Sequence, residues 1–513
     1  MKKKSSLFFI LGLAAVLLVS SCGGNKDASS SAPGTGGAVE YKDTLNVVIE
    51  SEPSTLFPYD QNEFYTETII KLIYNTLIYR TNDDKWEFTS EIAKSWEYIT
   101  DRQVRFHLND NIYFSNGDKL TAEDVKFSLE TANGFTRVLF YKQLEKVEVV
   151  DELTVDIFTF GPNPALFSNL AHPRSSIISK KYYEEVGKEG YGRKPIGSGP
   201  YTLSNWITGV SIDVKARDNY WMGEPGTANI HFSFIPEAAS RSVEMETGAA
   251  DIVTSPDYND LDRMSGLGFE VVAKKSARIA GVFINNANVP DIKIRQALAY
   301  AIDYPAVVEA IYGNMATVAD GMFPNTMPGY EKNWTIKYDP EKAKQLVAES
   351  KTPQGYEIEI MSYDQTETSQ LAEILQYYWR QIGINAKISQ NAFATIQRRQ
   401  SAGDYQVNPM ASQYGTLDPS RATYHFDGKV PAMLGLPPEI NAQWKDYWDR
   451  GATEIDLTKR LAIYKEYQEK IIEQVAYIPI AHKMIAYIVT KNVEGFYGAP
   501  GGITNLWMVK VSK

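Results

Sequence analysis

Cysteine is almost missing from this 513-residue chain, because Cys22 is the single one. A lone thiol excludes a disulfide within the chain, so the fold is not a small disulfide scaffold. A chain of this length buries most of its apolar surface on folding and needs no such bridge. Two to four domains fit the length.

Catalytic motifs are also missing. None of the five histidines pairs at i and i+4 with a glutamate, as in a zinc hydrolase, and no Gly-x-Ser-x-Gly elbow is present. The stretch 195–201, PIGSGPY, lacks the Lys-Ser/Thr pair of a phosphate loop, and its continuation predicts a strand. We expect no enzyme, no cofactor and no metal. A secreted glycoside hydrolase, which needs only two carboxylates, stays as the alternative from another class.

An excess of positive charge is absent as well. The chain has 52 basic and 63 acidic residues, a formal net charge of −11. Residues 1–21 contain three lysines and no acid, so their removal leaves 49 basic against 63 acidic residues, or −14. With no basic block in the sequence, this balance argues against nucleic acid and against electrostatic docking to anionic lipid.

Only one long apolar run is visible, Leu7–Val19, and it follows three lysines. It is shorter than the roughly 20 apolar residues of a spanning helix, and small residues follow it. This order predicts an export signal over residues 1–21. Its end, Ser20-Ser21-Cys22, resembles the lipobox of bacterial lipoproteins, in which the cysteine is diacylated and becomes the first residue. The resemblance implies a lipid anchor on Cys22, outside the cytoplasm of a bacterium.

Residues 22–39 are rich in Gly, Ser and Ala, a composition that predicts a flexible tether. After the tether, strand and helix signals alternate, which favours an α/β fold with sheets covered by helices. Strands are predicted at 45–49, 104–108 and 384–388. Helices are predicted after the caps Thr121 and Asp339, from about Thr368 to Gly383, and over 461–471.

Several stretches resemble one family closely, and they come in the family's order. They read LNVVIESEPSTLFP (45–58), IAKSWEYITDRQVRFHLNDNIYFSNGDKLTAEDVKFSLE (92–130), PIGSGPY (195–201), IRQALAYAID (294–303) and YDPEKAKQLV (338–347). Together they resemble the family 5 solute-binding proteins of ABC importers, which include dipeptide- and oligopeptide-binding proteins. The resemblance covers about residues 45–482.

The resemblance implies a three-lobed fold of the periplasmic-binding-protein type, with two α/β lobes that close on a hinge and an inserted extra domain. The expected boundaries are domain I at 40–67, 187–279 and 483–513, domain II at 68–186, and domain III at 280–482. Ligand is expected between domains I and III, with hinge strands near 279–281 and 481–484.

The ligand-binding residues follow the resemblance less closely. Peptide-binding relatives have a stretch like Trp-x-x-Asp-x-x-Asp/Glu-Pro, whose first aspartate holds the α-ammonium of the peptide. The matching stretch here is 412–419, in which Asp418-Pro419 fits the end, Ser412 replaces the tryptophan and Gly415 replaces the aspartate. A glycine cannot compensate a buried ammonium.

Either another acid holds the ammonium or the ligand has no free amino terminus. Asp364, beside Tyr363, and Glu52, near Thr55, are the candidate acids, although both also fit ordinary solvated loop carboxylates. If the ligand is an oligosaccharide, we expect Tyr414 to stack on it, with Ser412 and Gln413 as hydrogen-bonding groups. The expected ligand-binding set is therefore Glu52, Thr55, Tyr363, Asp364, Ser412, Gln413, Tyr414, Gly415 and Asp418.

The sequence thus predicts a monomeric, non-enzymatic capture protein, anchored outside the cytoplasmic membrane, that delivers a solute to the permease of an ABC importer. Short peptides are the first expected ligand and oligosaccharides the second. Nickel chelates and other small solutes remain open.

Overall fold

One large mixed sheet organises the molecule. The computed structural model describes residues 39–61, 63–81, 87–135, 143–353, 355–363, 365–422 and 431–513. The described residues from 41 to 513 form one compact unit. Of residues 1–40, the other unit, only residues 39 and 40 are described. The predicted export signal, Cys22 and nearly all of the predicted tether lie outside the described residues.

The described strands are β1 (Thr44–Ile49), β2 (Ile78–Arg80), β3 (Phe88–Ser90), β4 (Ala93–Thr100), β5 (Gln103–Leu108), β6 (Leu144–Asp151), β7 (Thr154–Thr159), β8 (Tyr201–Ile207), β9 (Ser211–Ala216), β10 (Asn229–Phe234), β11 (Ile252–Thr254), β12 (Glu270–Ile284), β13 (Ala316–Val318), β14 (Tyr356–Tyr363), β15 (Ile384–Asn391), β16 (Val407–Gln413), β17 (Tyr477–Val489), β18 (Val493–Glu494) and β19 (Lys510–Val511).

The described helices are α1 (Phe64–Ile73), α2 (Ala122–Asn133), α3 (Leu166–Leu170), α4 (Lys180–Arg193), α5 (Ala238–Glu246), α6 (Leu261–Gly266), α7 (Ile292–Tyr300), α8 (Tyr304–Tyr312), α9 (Pro340–Ala348), α10 (Thr366–Gln381), α11 (Phe393–Ala402), α12 (Pro419–Ala422), α13 (Pro431–Leu434), α14 (Pro438–Thr453) and α15 (Leu457–Glu473).

The large sheet has two halves that share its two longest strands. Its order is β15-β14-β16-β12-β17-β11-β1-β10-β9-β8, with β13 also paired to β17. We call β8–β11 and β1 the first half-sheet and β14–β16 the second half-sheet. The long strands β12 and β17 run antiparallel between the halves. Strand β17 and the second part of β12 are largely apolar and buried, as suits a position inside the sheet.

A bulge interrupts the β12–β17 pair at the boundary between the two half-sheets. Lys275 pairs with Met484 and Arg278 with Lys483, so Ser276 and Ala277 have no partner across this ladder. Their backbone turns elsewhere: the Ala277 N–H donates to Pro500 O (3.0 Å), and the Ala277 carbonyl accepts from Tyr414 N–H (3.0 Å). A bulge bends its strand and re-aims the next side chain.

A smaller sheet, β4-β5-β7-β6, lies within the segment predicted as an insertion. Helix α2 packs on it and begins at a capping box, in which the Thr121 and Asp124 side chains bond to each other's backbone. The core of this sheet and that of the first half-sheet form one continuous apolar cluster. The second half-sheet has a separate cluster. The domain boundaries inferred from the resemblance stay a prediction.

Most of the predicted elements are confirmed. The strand at 45–49 is β1, the strand at 104–108 is within β5, and the caps Thr121 and Asp339 precede α2 and α9. The segment after PIGSGP forms strand β8 rather than a helix. Helix α10 begins at Thr366, two residues before the predicted start, and β15 continues three residues beyond the predicted end.

The loop that follows β16 is held by a buried ion pair. Both carboxylate oxygens of Asp418 accept from Arg460 of α15, at 2.7 and 2.9 Å, and the two side chains are 6% and 4% exposed. Burial opposes ionisation of Asp418, but the Arg460 guanidinium outweighs it and holds the pKa of this carboxyl below its usual value. The pair fixes the loop 414–418 against the helices behind it.

Replacing Asp418 by Asn should destabilise the fold by about 3 kcal/mol, because Arg460 is left buried without its counter-charge. The measurement is urea unfolding at pH 7, with Asp449→Asn as the control, since that exposed carboxylate pairs with Lys445 at i and i+4 and should cost about 0.5 kcal/mol or less. The lowered pKa means that the wild-type advantage is complete above the ordinary carboxyl pKa and falls as the pH drops below it. Equal stability of the two variants would contradict this role.

Candidate functional site

Two cavities lie side by side next to the β12–β17 bulge. We call the first the hinge pocket and the second the Lys71 pocket. Gln413 lines the hinge pocket and donates from Nε2 to the carbonyl of Gly501, which lines the Lys71 pocket (2.7 Å). The linings of the two cavities are therefore in direct contact.

The hinge pocket encloses about 560 Å³, counting the space open to solvent. Glu50, Tyr65 and Ser255 line it from the first half-sheet and its helices, and Gln413 lines it from the second. Arg278, the first residue after the bulge, joins them from β12. The pocket thus has an apolar aromatic wall and a carboxylate and a guanidinium that share the same space.

These two charges have no ion-pair partner among the described residues. The Glu50 carboxylate has one long contact, from the Thr254 hydroxyl at 3.4 Å. Arg278 acts through space on Glu367 of α10, but that carboxylate is already bound by the Lys483 ammonium and by the Tyr312 hydroxyl (2.9 Å). Arg278 therefore adds a positive charge that no described carboxylate contacts.

Polar atoms without partners accumulate in the same pocket. Arg278 Nε, Gln413 Oε1 and the Tyr487 hydroxyl are buried and have no hydrogen-bond partner in the described part of the chain. Buried polar groups in folded proteins are nearly always hydrogen-bonded, so such a group calls for an explanation. Three around one cavity are the arrangement expected of a site that binds a polar ligand.

The Lys71 pocket encloses about 510 Å³, again counting space open to solvent. It is lined by Lys71, Arg80 and His172 on one side and by Gly415 and Gly501 on the other. A Cβ added at Gly415 would lie 3.3 Å from His172 Nε2, so the glycine allows the backbone to approach the imidazole closely. The Arg80 guanidinium also donates to the Thr416 carbonyl (2.7 Å), which ties β2 to the loop after β16.

Backbone strain is concentrated at these cavities. Among the described residues, Ser255, Leu417 and Val475 are the non-glycine positions with positive φ. Ser255 (φ 48°) lines the hinge pocket and Leu417 (φ 54°) lines the Lys71 pocket. Strained conformations of this kind cluster at ligand sites, where the surrounding structure enforces them.

The structure brings two of the predicted ligand residues to the cavities. Gln413 lines the hinge pocket and Gly415 lines the Lys71 pocket. Ser412 and Tyr414 adjoin them in sequence but are 8% and 6% exposed, and the Tyr414 ring belongs to an apolar cluster. Asp418 is occupied by Arg460, as described above.

Three other predicted residues, Glu52, Thr55 and Tyr363, line neither cavity. Both oxygens of Glu52 accept from the β8–β9 hairpin, from Trp206 Nε1 (2.7 Å) and Gly209 N–H (2.9 Å). Thr55 caps its own loop by accepting from Phe57 N–H (3.0 Å), and Tyr363 packs on Phe393. Asp364 lies outside the described residues. The roles assigned to these residues stay predictions.

The charged residues of the cavities were missed by the sequence analysis. Lys71 stands alone in the apolar stretch TIIKLI, whereas Arg80 ends such a stretch, TLIYR, and Arg278 comes near the start of another, ARIAGVFI. A single charge within or at the edge of an apolar stretch is a signal that could have identified them, because burying an unpaired charge is costly.

Two further searches bear on the kind of site. Among the described residues, no group of three or more His, Cys, Asp or Glu side chains is arranged to hold a metal ion. Within the same ranges, no helix has the length and apolar character to cross a membrane.

Comparison with known proteins agrees with the architecture. A family model described as "Bacterial extracellular solute-binding proteins, family 5 Middle" matches residues 87–433. Heme-binding protein A of Haemophilus influenzae is 26% identical over 86% of this chain and 87% of its own length. The dipeptide-binding protein of Escherichia coli K12 is 27% identical over 82% of this chain and 83% of its own.

A solved structure gives the same result. HbpA2 from Haemophilus parasuis superposes with a TM-score of 0.80 at 26% identity, covering 92% of this chain and 100% of that one. The multi-lobed α/β fold predicted from the sequence is confirmed. This chain belongs to the family 5 bacterial extracellular solute-binding proteins, the family that serves ABC importers.

Proposed function

We propose that this protein captures short peptides in the hinge pocket and hands them to the permease of an ABC importer, without catalysing a reaction itself. The observation that carries the proposal is the pair of opposite charges, Glu50 and Arg278, which line one pocket without an ion-pair partner among the described residues. A peptide has an ammonium and a carboxylate, so it supplies a partner for each.

An oligosaccharide fits the pocket less well. A neutral sugar offers hydroxyl groups to Glu50 and Arg278 but leaves both charges uncompensated when the cleft closes. The Tyr414 ring, expected to stack on a sugar, is buried within an apolar cluster. The relatives support a peptide in part, since one is a dipeptide-binding protein, although another is a heme-binding protein.

Hinge closure is part of the proposal. The bulge at Ser276 and Ala277 lies between the half-sheets, and the pockets lie directly beside it. We infer that the two lobes rotate about β12 and β17, with domain I at 40–67, 187–279 and 483–513, domain II at 68–186 and domain III at 280–482. A ligand that contacts both lobes then favours the closed state.

Anchoring completes the proposal. We propose that lipid on Cys22 holds the folded protein at the outer surface of the cytoplasmic membrane. The predicted export signal at 1–21 and the predicted tether at 22–39 support this arrangement. This arrangement keeps the capture protein close to its permease.

The first prediction concerns Arg278. Free Ala-Gln should bind Arg278→Gln at least about tenfold more weakly than wild type, because a charge-assisted bond to the peptide carboxylate is lost. Calorimetric titration measures this, with Arg102→Gln, an exposed arginine on the small sheet, as the control. C-terminally amidated Ala-Gln should bind both Arg278→Gln and wild type equally weakly.

Undiminished binding of free Ala-Gln by Arg278→Gln would refute the assignment of this residue. If wild type binds none of a panel of free dipeptides but binds an oligosaccharide, the peptide class itself is wrong.

A second prediction concerns the anchor. In bacteria that express the chain, Cys22→Ser should abolish incorporation of a labelled fatty acid and release the protein from the membrane fraction, because the acylated thiol is gone. Ser21→Ala is the matched control and should be labelled normally. Labelling of Cys22→Ser at the wild-type level would show that the anchor is elsewhere.

A further inference from the structure

We propose that the Lys71 pocket is a second subsite of the cleft that binds an anionic group of the ligand, either a carboxylate or a phosphate. The inference rests on the proposed function, in that it takes the hinge pocket and its neighbour as parts of one solute site. It adds a selectivity: ligands with a second negative charge are preferred over their neutral counterparts.

The Lys71 ammonium is the first reason. It faces the ring of Tyr79 at 4.8 Å and has no hydrogen bond or ion pair among the described residues. Burial lowers the pKa of Lys71 to about 8, although the nearby Glu91 carboxylate opposes the shift. Glu91 itself is occupied, since it accepts from Asn75 Nδ2, Thr76 N–H and the Thr76 hydroxyl at 2.6–2.9 Å.

Arg80 is the second reason. Its two Nη atoms donate to neutral acceptors, the Thr416 carbonyl and the Ser168 hydroxyl, both at 2.7 Å. Its Nε is buried and has no partner in the described part of the chain. Thus a second cation lines the pocket without touching a carboxylate, while Asp418, the acid that acts on it through space, is paired with Arg460.

The remaining charged neighbour is balanced locally. Glu67, buried behind the pocket, accepts from Arg174 Nε at 2.8 Å. His172 is neutral, because burial and the surrounding cations hold its pKa well below the usual value. Its Nδ1 accepts from Arg174 N–H, so its proton is on Nε2, which lies 3.9 Å from the Glu67 carboxylate and also beside Gly415.

The pocket therefore offers two cations that no described carboxylate contacts, with the backbone of Gly415 opposite them. An anion there gains charge-assisted hydrogen bonds, which are stronger than hydrogen bonds between neutral groups. The contact of Gln413 with Gly501 places the linings of the two pockets next to each other, and we take the pockets as neighbouring parts of one ligand site.

The test compares two dipeptides of the same shape, Ala-Glu and Ala-Gln, by calorimetric titration of the full chain. Wild type should bind Ala-Glu about tenfold more tightly than Ala-Gln. Lys71→Gln should lose this preference, so that its affinities for Ala-Glu and Ala-Gln become equal. Lys181→Gln, which removes a lysine that is 78% exposed, should keep the preference. Where wild type binds the dipeptides, a preference that persists in Lys71→Gln, or the lack of any preference in wild type, overturns the subsite.

A second arm separates failure of the subsite from failure of the proposed function. If wild type binds neither dipeptide, the peptide proposal fails, and the subsite is judged with glutarate and inorganic phosphate, using chloride at equal ionic strength as the control. A rise in the melting temperature of wild type that Lys71→Gln lacks supports the anion site, and the more effective anion identifies the preferred chemistry. No rise with either anion overturns it.

Discussion

The antiparallel pair of β12 and β17 is the interaction on which the rest of this structure depends. It joins two half-sheets, each of which has its own apolar core. At its bulge, the N–H and the carbonyl of Ala277 are left free and bond to Pro500 and Tyr414, one in a segment on each side. Gly281 allows the strands to approach, because a Cβ there would lie 2.2 Å from the Tyr477 hydroxyl oxygen. A β12–β17 ladder without this bulge would also join the two halves, but it would leave no free backbone groups at Ala277 to bind the segments that line the cavities.

The cavities follow from the bulge. The residue after it, Arg278, lines the hinge pocket, and the segments bound by Ala277 supply Gln413 and Gly415 from one side and Gly501 and Gly502 from the other. The unpaired charges therefore lie beside the bulge, about which we propose that the lobes rotate. Under that proposal, a solute that neutralises these charges stabilises the closed arrangement by the difference in its affinity for the two states.

The sequence predicted the elements and the family better than the site. Periodicity and capping signals located β1, α2 and α9, because those signals are local: alternating burial in Leu45, Val47 and Ile49, or the Thr121–Asp124 box. The segment 412–418 was expected near the ligand, and two of its residues line the cavities.

The partners of each charge could not be predicted, because pairing is a long-range property of the fold. The sequence allows Glu52 as an ammonium ligand. In the structure its carboxylate instead bonds to Trp206 and Gly209 of the β8–β9 hairpin, which are 154 and 157 residues away in sequence. Conversely, Lys71 and Arg278 became candidates only when no described carboxylate was found beside them. One physical test, whether a buried charge has a partner, separates these two cases.

The most direct measurement is a crystal structure of the protein with free Ala-Glu. We predict that the dipeptide lies beside the β12–β17 bulge, with its ammonium near Glu50, its α-carboxylate on Arg278 and its side-chain carboxylate in the Lys71 pocket. A dipeptide bound elsewhere on the chain, or bound in the cleft with its charges turned away from Glu50 and Arg278, would contradict the account.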